Sequence, residues 1–242
     1  MTEDRLSAIP VLYEDNHMIV VVKPPGIPSQ EDETGDPDML TLLKQDLKIR
    51  YNKPGNVFLG LVHRLDRPVG GAMVFAKTSK GASRLSEAVR SRSFGKTYAC
   101  VVHGSPNAPQ GRLQHYIRKD AKKNQVTVFN QPAAEAKEAI LDYHVIAQKG
   151  GFTLIAVSLL TGRPHQIRAQ MAHIGCSIIA DRKYGAPPTP SITDIALWST
   201  SVSMPHPVTK EQLLFRSVPA GSPAWSRWSE QELMEAIDWF IQ

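Results

Sequence analysis

Apolar residues follow two periodicities along this chain of 242 residues. Within residues 38–50 and 80–92 they recur every three or four positions, which predicts two amphipathic helices. Runs rich in Val, Ile and Leu predict short strands at residues 18–22, 73–77, 97–102, 126–129, 139–147, 153–160, 195–198 and 213–216. Strands and helices that alternate in this irregular way indicate an α+β fold on a mainly antiparallel sheet.

The segments between and after these elements suggest how the chain is organised. Proline, glycine and polar residues mark linkers at 24–37, 104–112 and 186–193. Near the end of the chain, Ser229 and Glu232 form a capping-box pattern. We therefore expect a catalytic domain over residues 1–220 and, over 221–242, a C-terminal helix that docks on the domain.

The segment His63-Arg64-Leu65-Asp66 is the first candidate for chemistry. Apolar strand patterns precede and follow it, so Asp66 is expected on a connection between two core strands. A carboxylate in that place must be hydrogen-bonded or ion-paired. The alternative is an aspartate that only caps a turn, which is the usual role of an isolated Asp in a loop.

A second candidate follows the predicted strand at 153–160, in the sequence TGRPHQIR. Pro164 suits the first turn of a helix because it lacks an N–H, and Gly175 is a typical C-terminal stop. This strand–turn–helix pattern places Arg163 at the helix start. Arg168 is expected one turn later, at the edge of the buried face, from where its guanidinium could reach a carboxylate. The alternative is simple solvation, the usual fate of arginine.

Several motifs, which follow one another in the family's order, resemble those of the RluA-type RNA pseudouridine synthases. The resemblance runs from about Val11 to about Val218. The motifs are VLYEDNHMIVVVKPPGIPSQ, HRLD, SFGKTYACVVHG, TGRPHQIRAQMAHIG and ADRKYG. The resemblance implies a pseudouridine synthase-like catalytic domain built on a mixed, mainly antiparallel sheet with flanking helices. Two departures stand out: the run after HRLD reads RPVGG, where many members carry Thr-Ser-Gly, and Ala180 occupies a position where glycine is frequent.

The resemblance also implies roles for individual residues. Asp66 matches the catalytic aspartate, Tyr98 the tyrosine that packs on the target base, and Arg168 the basic residue that pairs with the aspartate. Arg64 matches a residue linked to base flipping. The expected RNA-binding residues are Arg64, Arg163, His165 and Lys96. Without the resemblance, Tyr98 would be interpreted as a core aromatic residue of its strand.

The reaction that the resemblance implies explains these residue types. Pseudouridine forms when the N1–C1′ bond of a uridine breaks, the uracil turns, and C5 bonds to C1′. No redox step or group transfer occurs, so neither a metal nor another cofactor is expected. Asp66 would either attack the sugar or deprotonate it to a glycal, and Tyr98 or Asp66 would remove the C5 proton. A single carboxylate disfavours ordinary glycoside hydrolysis, which usually needs two.

Composition agrees with an RNA partner. There are 28 Lys and Arg against 23 Asp and Glu, a formal net charge of +5, with a pI near 9.2. The basic residues are grouped, and the groups are expected to contact phosphate or to be solvated loops: Arg90, Arg92 and Lys96, then Arg112, Arg118, Lys119, Lys122 and Lys123.

Only Cys100 and Cys176 are present, both in apolar surroundings, so we expect a reducing cytoplasm and no disulfide. No histidine or cysteine spacing suggests a metal site. The N-terminus shows no signal pattern, and no apolar run approaches membrane-spanning length. We expect no accessory RNA-binding domain before the catalytic part. A cytoplasmic monomer without membrane contact is expected.

The sequence thus predicts an enzyme that converts uridines in structured RNA to pseudouridine, with ribosomal RNA favoured and transfer RNA possible. The first alternative is a non-catalytic RNA-binding protein that retains the fold. The second is a nucleoside or glycoside hydrolase, which the single carboxylate and the basic charge balance disfavour.

Overall fold

The computed structural model describes residues 9–219 and 221–241. Within these ranges the strands are β1 (Val11–Glu14), β2 (Met18–Lys23), β3 (Gly60–Leu61), β4 (Gly70–Ala76), β5 (Gly95–His103), β6 (Gln110–Asp120), β7 (Gln125–Phe129), β8 (Lys137–Lys149), β9 (Phe152–Leu159), β10 (Leu197–Pro205) and β11 (Gln212–Arg216). The helices are α1 (Met39–Arg50), α2 (Ser79–Arg90), α3 (Gln166–His173) and α4 (Glu230–Asp238), and a short 3₁₀ helix spans Arg182–Tyr184. The predicted α+β fold with a mainly antiparallel sheet is confirmed.

The chain forms two compact units, of which the first contains the described residues up to Gly95 together with Ser201–Ser217. In this unit β2 lies between β1 and β4, the short β3 pairs with β4, and β11 pairs with the part of β10 from Ser201 to Pro205. Helix α2 packs on this sheet through Leu85 and Ala88. The buried cluster that they join also contains Met18, Val20, Ala72, Val74, Ala76, Phe94, Val202 and Met204.

The second unit contains Lys96–Thr200 and the described residues after Val218. Its strands run in the order β5, β9, β8, β6, β7, and each neighbouring pair is antiparallel. Helix α3 contacts β6 and β7, where Ala169 joins Ile117, Val126 and Ala139 in a buried cluster. Helix α4 contacts β8 and β9, and it begins with the predicted capping box of Ser229 and Glu232.

The two predicted internal helices are confirmed, and so are most of the predicted strands. The linker predicted at 104–112 is partly wrong, because β6 starts at Gln110. Only one face of β6 is buried, so the polar residues of its other face hid the strand from the sequence pattern. The strand predicted at 195–198 instead runs from Leu197 to Pro205. Its Ser and Thr side chains at 199–201 are buried despite their polarity, so the apolar pattern did not reveal the full length of the strand.

Candidate active-site residues

Asp66 lies half-buried on the connection from β3 to β4, as the sequence predicts. Its carbonyl accepts a hydrogen bond from the Val69 N–H at 3.0 Å. The preceding residue, Leu65, is held at both backbone polar groups by the Ser29 hydroxyl, which donates to the Leu65 carbonyl (2.7 Å) and accepts from its N–H (3.1 Å). The main chain on both sides of Asp66 is therefore fixed, which restricts where its carboxylate can point.

Lys23 provides a second restraint on this turn, and the sequence analysis assigned it no role. Its side chain is fully buried, and Nζ donates to the carbonyls of Pro24 (2.9 Å), Arg67 (3.0 Å) and Val69 (2.8 Å). An ammonium group has three N–H donors, so the three carbonyls match it. Burial lowers the pKa of Lys23 to about 7, while the negative charge of Asp66 acts in the opposite direction. A lysine that ends an apolar strand, MIVVVK, was the available signal.

The first two residues of HRLD, His63 and Arg64, lie in different environments. His63 is buried, accepts a hydrogen bond at Nε2 from the Val74 N–H (2.9 Å), and packs on the Phe94 ring at 5.1 Å. Arg64 is exposed, and across the part of the chain that the structure describes it forms no ion pair or hydrogen bond. His63 therefore supports the turn, whereas the Arg64 guanidinium faces solvent.

Arg168 lies in α3 and forms a buried ion pair with Asp181. Its Nε and Nη2 atoms each lie 2.7 Å from a carboxylate oxygen, and the two side chains are 6% and 1% exposed. The guanidinium carbon also lies 5.2 Å from the centre of the Tyr184 ring. This two-point contact orients Arg168 firmly. Asp181 belongs to the ADRKYG motif, but its partner was not predicted from the sequence.

Helix α3 differs from its predicted form in two respects. It begins at Gln166 with His165 as N-cap, so Pro164 and Arg163 precede the helix. Its first six residues are all buried, so Arg168 is inside and not at the edge of one apolar face. The predicted stop is confirmed, since Gly175 follows the C-cap residue with φ +82°.

Two buried glutamine side chains of α3 form hydrogen bonds with the strands and the turn around the helix. The Gln166 side chain accepts from the Thr161 hydroxyl (2.8 Å) and the Arg163 N–H (2.9 Å), and donates to the Ile140 carbonyl (3.0 Å). The Gln170 side chain lies 2.9 Å from His115 Nδ1 and donates to the Ala139 carbonyl at 3.1 Å. These amides satisfy buried polar groups of the neighbouring strands and turn, a function that periodicity cannot reveal.

His165, predicted to bind RNA, occupies a strained position at the start of α3. Its φ of +52° lies in the left-handed region, which is uncommon for residues other than glycine. Its Nδ1 atom lies 2.7 Å from the Tyr184 hydroxyl, and that hydroxyl accepts from the Val126 N–H at 3.1 Å. The structure thus brings His165 and Arg168 together around one tyrosine, and RNA contact by His165 stays a prediction.

Tyr98 and Lys96 lie on β5, two residues apart and so on the same face of the strand. Tyr98 is 6% exposed, and in the ladder it pairs with Val157 of β9. Lys96 is half-buried, and burial lowers its pKa. Arg163 is also half-buried and donates through Nε to the Glu138 carbonyl at 2.8 Å.

The predicted site residues thus fall into two groups. Asp66 and Arg64 belong to the first unit, whereas the other five belong to the second: Lys96, Tyr98, Arg163, His165 and Arg168. The pairing of Arg168 with Asp66 stays a prediction. Within residues 9–219 and 221–241, no three His, Cys, Asp or Glu side chains are grouped as metal ligands.

Comparison with known proteins relates both groups to one family. The family model of RNA pseudouridylate synthases matches residues 17–173. The large-subunit pseudouridine synthase C of Buchnera aphidicola subsp. Baizongia pistaciae is 29% identical over 212 residues, which cover 84% of this chain and 65% of that protein. The large-subunit pseudouridine synthase D of Yersinia pestis is 34% identical over 181 residues, with 74% and 54% covered. The chain therefore spans between about half and two thirds of these relatives.

Solved structures show a similar fold. Human RNA pseudouridylate synthase domain containing 4 superposes with a TM-score of 0.76 at 20% identity, covering 98% of this chain and 96% of that one. Human RNA pseudouridylate synthase domain containing 1 gives a TM-score of 0.73 at 18% identity, with 96% and 95% covered. The family model matches well over half of the chain, and it includes the HRLD turn and α3. The chain belongs to the RNA pseudouridylate synthase family, and its resemblance to the RluA type is confirmed.

Proposed function

We propose that this chain isomerises specific uridines in structured RNA to pseudouridine, with large-subunit ribosomal RNA as the favoured substrate. The observation that carries the proposal is Asp66, held in a turn whose backbone is clamped by Ser29 and Lys23, in a chain of this family. The names of the bacterial relatives support the choice of ribosomal RNA. Transfer RNA stays the second choice.

Asp66 is proposed as the catalytic carboxylate. An oxocarbenium-like centre at C1′ develops positive charge, which a nearby carboxylate can stabilise or trap. Asp66 would attack C1′ or remove a proton from the sugar to give a glycal. Either step requires a carboxylate of fixed direction, which agrees with the clamped turn.

Tyr98 and Arg168 are proposed to act on the same uridine. Tyr98 offers an aromatic face to the uracil ring and a hydroxyl that could receive the C5 proton, a step that Asp66 could also perform. Asp181 uses the Nε and Nη2 atoms of Arg168. A second carboxylate would be bound by the N–H donors of Nη1 and Nη2 that do not point at Asp181. Arg64 is proposed to hold the RNA from which the uridine is flipped.

The setting of this activity is also part of the proposal. In the described part of the chain no helix is both long enough and apolar enough to cross a bilayer. We propose that the protein acts on RNA in the cytoplasm as a monomer, without a metal or another cofactor. RNA would be bound by Arg64, Lys96, Arg163 and His165 together with the local shape of the RNA.

The test is pseudouridine mapping on total RNA from cells with and without the gene. The deletion strain is complemented with wild type, with Asp66→Asn, or with Asp194→Asn as a matched control at an exposed carboxylate. Sites that disappear in the deletion should return with wild type and Asp194→Asn, but not with Asp66→Asn. These sites would identify the substrate.

Three results would contradict the proposal. Restoration of the sites by Asp66→Asn would remove Asp66 from the chemistry. An unchanged map in the deletion, with RNA binding by the purified protein, would favour the non-catalytic RNA-binding alternative. Turnover of free uridine would instead indicate a hydrolase.

A further inference from the structure

The side chain of Lys96 carries a positive charge on β5. In the part of the chain that the structure describes, its Nζ atom has no hydrogen-bond acceptor and no carboxylate partner. The side chain is nevertheless half-buried, and burial alone lowers the pKa of its ammonium group. Partial removal of a charge from water is unfavourable unless a partner compensates for it. The Nζ atom is not among the fully buried polar atoms, so an anion from outside the chain can reach it.

Gly162 makes room for this ammonium group. A Cβ atom placed on Gly162 would lie 2.9 Å from Lys96 Nζ, closer than real contacts allow. The φ of Gly162 is not in the left-handed region, so the backbone does not require glycine there. Gly162 thus leaves space for the end of the Lys96 side chain, which would have to shift if a larger residue stood there.

Two neighbours of Lys96 indicate what the ligand is. Tyr98, on the same face of β5, is about 7 Å further along the strand, which is comparable to the separation of a nucleobase from its own phosphate. Arg163 follows Gly162 in the chain, and among residues 9–219 and 221–241 its guanidinium contacts only the Glu138 carbonyl, through Nε. A compact ammonium group is suited to a phosphate, and Arg163, one residue after Gly162, supplies a second positive charge to the same segment.

We propose that Lys96, seated on Gly162, binds a phosphate group next to the uridine whose base contacts Tyr98. This inference rests on the proposed function and adds an anion subsite for the substrate backbone. Gly162 acts as a positioning residue, because any larger side chain would displace the ammonium group. The subsite contributes affinity and register on the RNA and carries no sequence information.

The test measures RNA affinity and not turnover, so it remains informative if isomerisation fails. The probe is large-subunit ribosomal RNA transcribed in vitro, and its dissociation constant is measured over a range of KCl concentrations. The variants are Lys96→Met, Gly162→Ala and, as a matched loss of charge at an exposed lysine, Lys80→Met. Urea unfolding of each variant checks the fold.

Lys96→Met should weaken binding several-fold and reduce the slope of log affinity against log salt by about 1. Gly162→Ala keeps the charge but should also weaken binding, because only the position of Nζ changes. Lys80→Met should match wild type in both measures. If Lys96→Met and Lys80→Met behave alike, or if Gly162→Ala binds as wild type does, the subsite is wrong. Wild-type binding without isomerisation would contradict the proposed function but not this subsite.

Discussion

Arg168 and Asp181 are joined by two hydrogen bonds of 2.7 Å in a place where water hardly reaches either side chain. Asp181 follows Arg168 by 13 positions, and the intervening chain contains the end of α3, the Gly175 stop and the left-handed Ala180. The orientation of the proposed active-site arginine thus depends on a carboxylate that arrives from a separate turn. Lys23 holds the turn of Asp66 in a similar way, from outside the HRLD motif.

Asp181→Asn should destabilise the protein and impair isomerisation. It would leave the Arg168 guanidinium buried without a counter-charge, which costs about 3–5 kcal/mol. Urea unfolding measures the stability, and pseudouridine formation on the mapped RNA measures the activity. Arg168→Met and the double variant complete a mutant cycle. The double variant should lose less than the sum of the single losses. Strict additivity would mean that the ion pair contributes nothing as a pair.

The sequence predicted those features that local patterns encode. Apolar periodicity located α1, α2 and most strands, and the HRLD and GRPHQIR motifs located Asp66 and Arg168. It did not predict Lys23, whose carbonyl partners at Arg67 and Val69 are 44 and 46 residues away. Contacts of this range depend on how strands are assembled and leave no periodic signal. The start of strand β6 was missed for a different, local reason. Its exposed face is polar, so its composition resembles that of a loop.

Lys23→Met should loosen the Asp66 turn. It leaves the carbonyls of Pro24, Arg67 and Val69 without their buried donor, at roughly 1–3 kcal/mol for each orphaned group that water cannot reach. Urea unfolding should show a large loss of stability, and pseudouridine formation should fall even under conditions where the variant is folded. The same substitution at the exposed Lys80 serves as control. A variant as stable and active as wild type would show that the three contacts do not hold the turn.

The protonation of Lys23 predicts how the free energy of unfolding depends on pH. In the unfolded chain a lysine keeps its proton up to about pH 10.5, whereas in the fold its pKa is about 7. Between these values the unfolded state binds more protons, so the stability contributed by this group rises with pH, by at most about 1.4 kcal/mol per pH unit. The difference in unfolding free energy between wild type and Lys23→Met should therefore grow from pH 7 to pH 10. A constant difference would mean that the three carbonyls keep Lys23 protonated throughout.

Ala180→Gly should stabilise the protein. Ala180 has φ +62°, a conformation that costs an L-residue about 1–2 kcal/mol, while glycine adds about 0.4–1 kcal/mol of unfolded-state entropy. The net gain should be about 0.5–1 kcal/mol, measurable as a higher Tm. Ala134→Gly, in an exposed turn where φ is not positive, should instead be neutral or destabilising. A lower Tm for Ala180→Gly would show that the alanine methyl group makes contacts that outweigh the strain.

Arg64→Ala should affect RNA and not the fold. Because Arg64 is exposed and has no protein partner among the described residues, the free energy of unfolding should change by less than about 0.5 kcal/mol. If Arg64 holds RNA from which a uridine has been flipped, its loss should slow isomerisation more in a structured RNA than in an unstructured strand with the same target, because only the structured RNA must be opened. Arg64→Lys, which keeps the charge but not the planar fork, should give an intermediate loss. Equal losses on both RNAs would reduce Arg64 to a general phosphate contact.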